Sequence, residues 1–508
     1  MVRLMVTTSE KLAKSLEALK ELQDRGILAI QSKNLSRAHR ERLIRTGFLQ
    51  EIIKGWYIPS SMHETTGDST AWYTSYWNFS SAYLNKRFKK EWCLSPEQSL
   101  SLHAGNWTVP QQLLVRSPSG NNKVTLFPHK TSLLDARYSM PPQKEVEILN
   151  NLRVYSLTAA LVHCSPRFFL QNPTDIRTAL SLIRDASEVL RALLAGGHTI
   201  IAGRLAGAFR NSGRHQVADE IIRTMTIAGY DIRETDPFKE TLTFSLLNRE
   251  RSPYVNRIHI LWQEMRKVVL ENFPKSPKRA VNIKAYLKNV EKVYFTDAYH
   301  SLSIEGYRVS PDLIKHVRSG KWDPDNDAND KEHTAARGYW QAFNIVEESV
   351  SKVLKGENPG SVFSEDHRKW YSEMFAPCVT AGILQPTDLA GYRNELVYIR
   401  RSMHVPPNPD AVRDLMPAFC NLLSEEADAA VRVVLGHFFF VYIHPYMDGN
   451  GRIGRFLMNV MLAAGGYPWI VIPVEQRSKY MAALEEASVR QNIAPFSKFL
   501  AALTRKNK

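Results

Sequence analysis

Between Ala430 and Gly466 the chain holds two apolar stretches, "AVRVVLGHFFFVYIHP" and "RIGRFLMNVMLAAGG", and the polar residues between their apolar cores gather in "HPYMDGNGRIGR", residues 444–455. Both stretches have helical period and are too apolar to lie on a surface, so each is expected to be buried. Pro445 must end the first near its own position, and the second begins near Gly451. The chain is therefore constrained to a helical domain in which two buried helices meet at a polar loop. That loop carries a base, an acid and two guanidiniums, which a plain turn does not need.

The loop's chemistry follows from its position. Gly449, Asn450 and Gly451 lie at a helix N-terminus, where free N–H groups and the positive dipole end suit an anion, and glycine lets the backbone approach closely. Arg452 and Arg455 are a helical turn apart and lean to one side, as donors along a polyphosphate would. Asp448 beside a phosphate needs a cation between them, and Mg²⁺ is the hard ion that joins carboxylate and phosphate oxygens. His444 is the group here suited to taking a proton from a hydroxyl near neutral pH. Together these parts describe nucleotidyl transfer, in which positioning and charge stabilisation carry most of the catalysis.

"HPYMDGNGRIGR" resembles the Fic motif, H-P-F-x-[D/E]-G-N-G-R-x-x-R, with Tyr446 in place of the phenylalanine. A buried tyrosine hydroxyl is expected to find a partner. The resemblance covers roughly residues 250–505 and implies an all-helical Fic core that transfers AMP from ATP to a Ser, Thr or Tyr hydroxyl of a target protein. It implies His444 as base, Asp448 as the Mg²⁺ ligand, Asn450 with the neighbouring backbone on the α-phosphate, and Arg452 and Arg455 on the distal phosphates. "GYRNELVYIRRSMHVPP", residues 391–407, looks like the Fic flap, a β-hairpin whose Val397, Tyr398 and Ile399 would hold the target's backbone by strand addition. Tyr480 stands at an aromatic position of the adenine pocket, while Ser488 replaces the asparagine that many relatives use to read the base. "SLSIEG", residues 301–306, fits the inhibitory pattern [S/T]-x-x-x-E-[G/N], so that Ser301, Glu305 and Gly306, on a helix near 295–308, form a brake. Glu305 is expected to make a two-bond ion pair with Arg455 and keep ATP in an unproductive pose. Some relatives also use this glutamate to remove AMP, and relatives often inhibit themselves as dimers, which makes a second copy of the chain a candidate partner.

The remaining half of the 508-residue chain has a different texture, and the formal charge of +15 points to a polyanionic partner. "LSRAHRERLIRTG" reads as a basic helix capped by Ser36, with "FLQEIIKGWYIPS" behind it as a hairpin turning at Lys54. With "EKLAKSLEALKELQD" and the short segment after it, this makes three helical pieces and a wing, with Arg37, Arg40, Arg42 and Lys54 as candidate DNA contacts. The aromatic face Trp72, Tyr76, Phe79 and Tyr83 is expected in a core, and Gly120 with its asparagines marks a hairpin. Residues 1–235 resemble the AbiEi-type antitoxins and related transcriptional regulators through "LIRTGFLQEIIKGWYI", "LSLHAGNWTVPQQLLVRSP" and "LRVYSLTAALV"; this implies DNA binding.

The expected organisation is a winged helix over 1–62, a mixed α/β and helical regulator-like domain over 63–235, and the Fic domain over 250–505: a mainly α chain. The four cysteines are scattered, the N-terminus has no signal-peptide core, and charged residues interrupt the most apolar stretch, "VLRALLAGGHTIIAGRLAGAF", so a cytoplasmic protein with no membrane span is expected. The competing reading is a DNA-binding transcriptional regulator, or a toxin–antitoxin type protein, whose Fic half senses nucleotide or removes AMP.

Overall fold

Short polar caps set the helix starts along this chain. Thr7 accepts from the N–H of Glu10, whose carboxylate takes the N–H of Thr7 in return; Ser36, Ser95, Asn282, Asn408 and Asp428 cap later helices. The structure is a computed structural model and describes residues 7–60, 69–239, 252–277, 282–319 and 331–506. The domain ends expected at 62 and 63 and the start expected at 250 lie outside the described residues. The chain divides into two compact units, Met1–Pro253 with Tyr398–Val405, and Tyr254–Val397 with Pro406–Lys508.

The first unit opens with α1 (Thr8–Asp24), β1 (Ile30–Gln31), α2 (Arg37–Arg45), β2 (Leu49–Ile53) and β3 (Trp56–Pro59), the strands ordered β1-β3-β2 and antiparallel. The piece expected as a helix between α1 and α2 is only a 3₁₀ turn, Ser32–Asn34, because the Asn34 side chain takes the Gln31 N–H and closes the backbone locally. Next come α3 (Thr70–Phe88), β4 (Cys93–Leu94), α4 (Pro96–His103), β5 (Gln112–Ser117), β6 (Lys123–Leu126) and β7 (Ser132–Arg137). Trp72, Tyr76 and Phe79 on α3 are fully buried, in the core where their spacing put them.

The turn at Gly120 does not make a β5–β6 hairpin. The sheet order is β4-β5-β7-β6, with β7 parallel to β5 and antiparallel to β6. The buried Asp135 of β7 captures the turn by accepting from the N–H groups of Asn121 and Lys123, and a Cβ on Gly120 would lie 2.7 Å from the Ala136 carbonyl oxygen. A hairpin of β8 (Val146–Leu149) and β9 (Leu152–Tyr155) leads into α5 (Leu157–His163), α6 (Pro166–Gln171), α7 (Pro173–Leu182), α8 (Ser187–Gly196), α9 (Thr199–Asn211) and α10 (His215–Ile227). The most apolar stretch is thus α8 and α9, parted by the left-handed Gly197. Gly203 and Gly207 leave α9 a groove for the segment Arg233–Asp236, whose Arg233 and Thr235 carbonyl oxygens lie where a Cβ would be 2.0 and 2.1 Å away. Among the described residues no helix is long and apolar enough to cross a membrane.

The second unit is helical: α11 (Pro253–Asn272), α12 (Ile283–Ile304), α13 (Pro311–Arg318), α14 (Lys331–Leu354), α15 (Pro359–Thr380), α16 (Pro409–Glu425), α17 (Ala429–Ile443), α18 (Asn450–Ala464), α19 (Arg477–Arg490) and α20 (Ala494–Lys506). The chain as a whole is mainly α. Helices α17 and α18 are buried along nearly their whole length, Phe438, Phe439 and Phe440 of one and Phe456, Leu457 and Met458 of the other fully so.

The β-hairpin expected over 391–407 does not form; no strand is assigned there. Backbone groups of Tyr398–Val405 find partners outside the segment, since Met403 O accepts from Val109 N at 3.0 Å and Arg401 N donates to Thr70 Oγ1 at 3.3 Å. Pro406 and Pro407 carry no N–H for a ladder. Val397 is buried, and Tyr398 and Ile399 are half-buried.

Candidate active site

Pro445 stops α17, because the residue before a proline is pushed out of the helical region. His444 is that residue and takes the left-handed conformation, φ 54° and ψ 61°. Its Nδ1 lies 3.0 Å from Val441 O; a carbonyl can only accept, so Nδ1 carries the proton and Nε2 keeps its lone pair. Burial, with the charge of Arg393 adding to it, pushes the imidazole pKa down to about 4, below the near-neutral value expected of a free histidine. The His444 imidazole is thus neutral throughout the neutral pH range, with its lone pair on Nε2.

The loop after it rests on aromatic rings. Tyr446 stacks on Tyr371 with centroids 3.9 Å apart and planes 6° from parallel, and His367, Tyr392 and Phe440 surround the pair. The Tyr446 hydroxyl, expected to find a partner, is buried without one. Asn450, expected on the α-phosphate, turns its amide to the loop: Oδ1 accepts from Tyr446 N at 2.9 Å and Nδ2 donates to Tyr446 O at 2.8 Å. The side chain braces the loop, and the first N–H groups of α18 have no carbonyl partner within the helix. Gly449 caps that helix at φ 80°, and a Cβ there would meet the Phe375 ring at 2.8 Å, so both its backbone angle and its surroundings call for glycine.

Arg452 is 1% exposed, donates from Nη2 to Asp448 Oδ2 at 3.2 Å, and lies over the rings of Phe375 and Tyr307. Asp448 keeps a 66%-exposed side chain, with Oδ1 accepting from Gly449 N. Beside these two opens a cavity of about 1140 Å³, lined also by Tyr371, Phe375 and Tyr392. Tyr480 does not line it. Its ring is buried and its hydroxyl bonds His437 Nε2 at 2.8 Å in the core, where His437 also packs on Phe496. Ser488 is half-buried on α19.

Arg455 is held by the end of α12. Its Nε donates to Ser301 Oγ at 2.8 Å, and its Nη2 donates to Ser301 O at 3.0 Å and to Glu305 Oε1 at 2.6 Å. The pair with Glu305 therefore has one bond, not the expected two, because Ser301 occupies the rest of that edge. Nη1 is buried without a partner. Burial opposes the charge on Arg455, yet Glu305 outweighs it and holds the pKa above the ordinary arginine value. Glu305 caps α12, Gly306 follows at φ 95°, and a Cβ on Gly451 would fall 2.3 Å from Glu305 Oε1.

Arg393, which the sequence did not single out, reaches the same loop. It is 2% exposed; Nε donates to His444 O at 2.8 Å and its backbone N to Pro445 O at 2.9 Å. In the sequence it is one arginine near Arg400 and Arg401, and nothing local separates a buried arginine from exposed ones.

Residues 365–462 match the profile described as the Fic/DOC family. The chain carries a Fic domain. Relatives of the chain include the protein adenylyltransferase Fic of Drosophila virilis, 33% identical over 220 residues that make up 42% of each chain. The protein of the same name from Drosophila grimshawi is 32% identical over 264 residues, 51% of each chain. The chain thus spans about half the length of these relatives, or less. Among solved structures, "Fic-1 (aa134 - 508) from C. elegans" aligns with 21% identity and a TM-score of 0.37 over 63% of this chain and 89% of that one.

In the first unit, Arg37 pairs with Glu41 at 2.6 Å and stays 84% exposed, and Lys54 is exposed in the β2–β3 turn. Arg40 and Arg42 are spent on the fold. Arg40 donates to Ser32 O at 2.9 Å and lies over the Tyr57 ring, while Arg42 donates to Lys11 O and Ser15 Oγ and ties α2 to α1.

Proposed function

We propose that this protein is a self-inhibited adenylyltransferase that moves AMP from ATP to a hydroxyl side chain of another protein. The observation that carries this reading is the pairing of an unprotonated His444 Nε2 with a helix N-terminus whose second arginine, Arg455, is occupied by Glu305. The relatives' name, protein adenylyltransferase, agrees with it. In the reaction His444 Nε2 takes the hydroxyl proton, the oxygen forms a bond to the α-phosphorus, and the bond from that phosphorus to the bridging oxygen breaks with release of pyrophosphate. N–H groups at the start of α18 receive the α-phosphate, and Arg452 and Arg455 the distal phosphates.

Among the described residues no group of three or more His, Cys, Asp or Glu is placed to hold a metal. Mg²⁺ needs less here, since one carboxylate and the substrate's phosphates suffice. Asp448 fits that part, with an exposed carboxylate bonded only at its edges by Gly449 and Arg452. Such an ion would neutralise charge on the leaving pyrophosphate.

The test is AMP labelling of protein by the purified chain: Glu305→Gly should raise it and His444→Ala abolish it. No labelling by Glu305→Gly with any hydroxyl-bearing acceptor, while it still binds ATP, would overturn the reading in favour of a nucleotide sensor.

For the N-terminal unit we propose DNA binding, as in a regulator of the AbiEi type. It is supported by the exposed Arg37 and Arg45 on α2 and Lys54 at the hairpin tip. A mobility shift weakened by Arg37→Ala with Lys54→Ala, and less steep in salt, would support it; an unchanged shift would refute it.

A further inference from the structure

The guanidinium and backbone of Arg393 reach two places that are far apart in sequence. Nε and the backbone N hold the consecutive carbonyls of His444 and Pro445, at 2.8 and 2.9 Å. Nη1 donates to Glu395 O at 2.9 Å and Nη2 to Pro407 O, the two ends of the segment that precedes α16. From these bonds we infer that Arg393 is the positioning residue of the reaction: it locks Glu395 and Pro407 to the loop that presents His444, so that these two points and the base hold one geometry together. The inference rests on the reading of AMP transfer given above.

His444 needs such a lock. A non-glycine residue in the left-handed region costs on the order of 1–3 kcal/mol and persists only where its surroundings over-determine it. Val441 O fixes the ring but not the path of the chain beyond it. Arg393 fixes that path by bonding the carbonyls on both sides of the His444–Pro445 bond. Each acceptor is a main-chain carbonyl, and the donors diverge in one plane, which a guanidinium supplies and an ammonium does not. Its neighbour Tyr392 adds to the anchorage, bonding His367 Nε2 through its hydroxyl at 3.0 Å and packing against Tyr446. A displacement of His444 by about 1 Å is enough to cost on the order of 10²-fold in rate.

The experiment uses the full-length chain with Glu305→Gly as parent and adds Arg393→Lys or Arg393→Met. ATP affinity is measured by calorimetry, AMP transfer by initial rates, and backbone amide exchange by mass spectrometry. The expected result is a fall in kcat of about 10²-fold with ATP affinity kept within about twofold, together with faster exchange in both 394–397 and 444–449. An unchanged kcat overturns the inference, as does a parallel loss of ATP affinity and kcat, which would mark general unfolding. Faster exchange on one side only also overturns it, and this readout stands even where no AMP transfer is found. A parent that binds ATP but transfers no AMP refutes the functional reading instead.

Discussion

Glu305→Gly is the perturbation whose size the structure lets one estimate. Glu305 Oε1 and Arg455 Nη2 are 2.6 Å apart, with the arginine 4% and the glutamate 28% exposed. A charge-assisted bond of this kind contributes about 1.5–3 kcal/mol. A distal phosphate that takes Arg455 must displace the carboxylate and also approach its charge. If productive binding costs about 3 kcal/mol for that reason, the competent population falls about 10²-fold. Removing the carboxylate should therefore raise AMP transfer by about 10²-fold, read as incorporation of labelled AMP or as pyrophosphate release. Glu305→Asp keeps the charge but loses a methylene of reach, and should give an intermediate rate. The decisive control is Arg455→Ala, where Glu305→Gly should make no further difference, since the proposed brake acts through that guanidinium. An unchanged rate in Glu305→Gly, or an equal increase in the Arg455→Ala background, would refute the reasoning.

Gly451→Ala places a Cβ 2.3 Å from Glu305 Oε1, and a carboxylate at the end of a flexible side chain yields more easily than helix backbone. It should activate the wild type by about tenfold or more, a loss of about 1.4 kcal/mol or more of the brake, and give no increase in Glu305→Gly. Initial rates of the two single variants and the double variant check this. For His444, whose pKa burial and Arg393 push down to about 4 and which loses the upward pull of the Glu305 charge in Glu305→Gly, kcat/KM of that enzyme should stay level from neutral pH downward and fall only at about pH 4 or below; an acid limb near 6.5 would show a solvated imidazole. Asp297, one turn before Ser301 on α12, accepts from Tyr339 and Trp469, and burial raises its pKa from 3.8 to about 6. The folded state therefore binds more protons than the unfolded one between those values, so this group's contribution is fully present below 3.8 and is lost as pH rises through 6. Asp297→Asn should raise the unfolding free energy from urea titration at pH 8, by an amount on the order of 3 kcal/mol, and lose that advantage below pH 4.

What the sequence conveyed about the site was what is local to the chain. Two apolar helices, the proline that parts them and the glycines that open the second lie within residues 430–466, and backbone sterics carry such a signal without help from the rest of the molecule. The same holds for Glu305, found because "SLSIEG" has a spacing; its meeting with Arg455 follows once α12 and α18 are packed together. The hairpin over 391–407 was misread for a related reason. Extended residues between prolines resemble strands, yet a strand exists only where its N–H groups meet another strand, and here they meet Thr70 and other partners.

Arginine was the least legible residue in this chain, and the reason is physical. Its side chain is long enough for the head group to lie several ångströms from the face its Cα suggests, and its five donors are satisfied equally well by phosphates, carboxylates or main-chain carbonyls. Periodicity put Arg40 and Arg42 on a basic helix, but both turn inward to carbonyl and hydroxyl oxygens, as Arg393 does. Carbonyl acceptors belong to every residue and leave no mark in a sequence. Arg455 can be matched to Glu305 from the sequence because that partner is a side chain with its own motif. The readable arginines are thus those paired with a side-chain group, and the ones that hold the backbone in place become visible only in three dimensions.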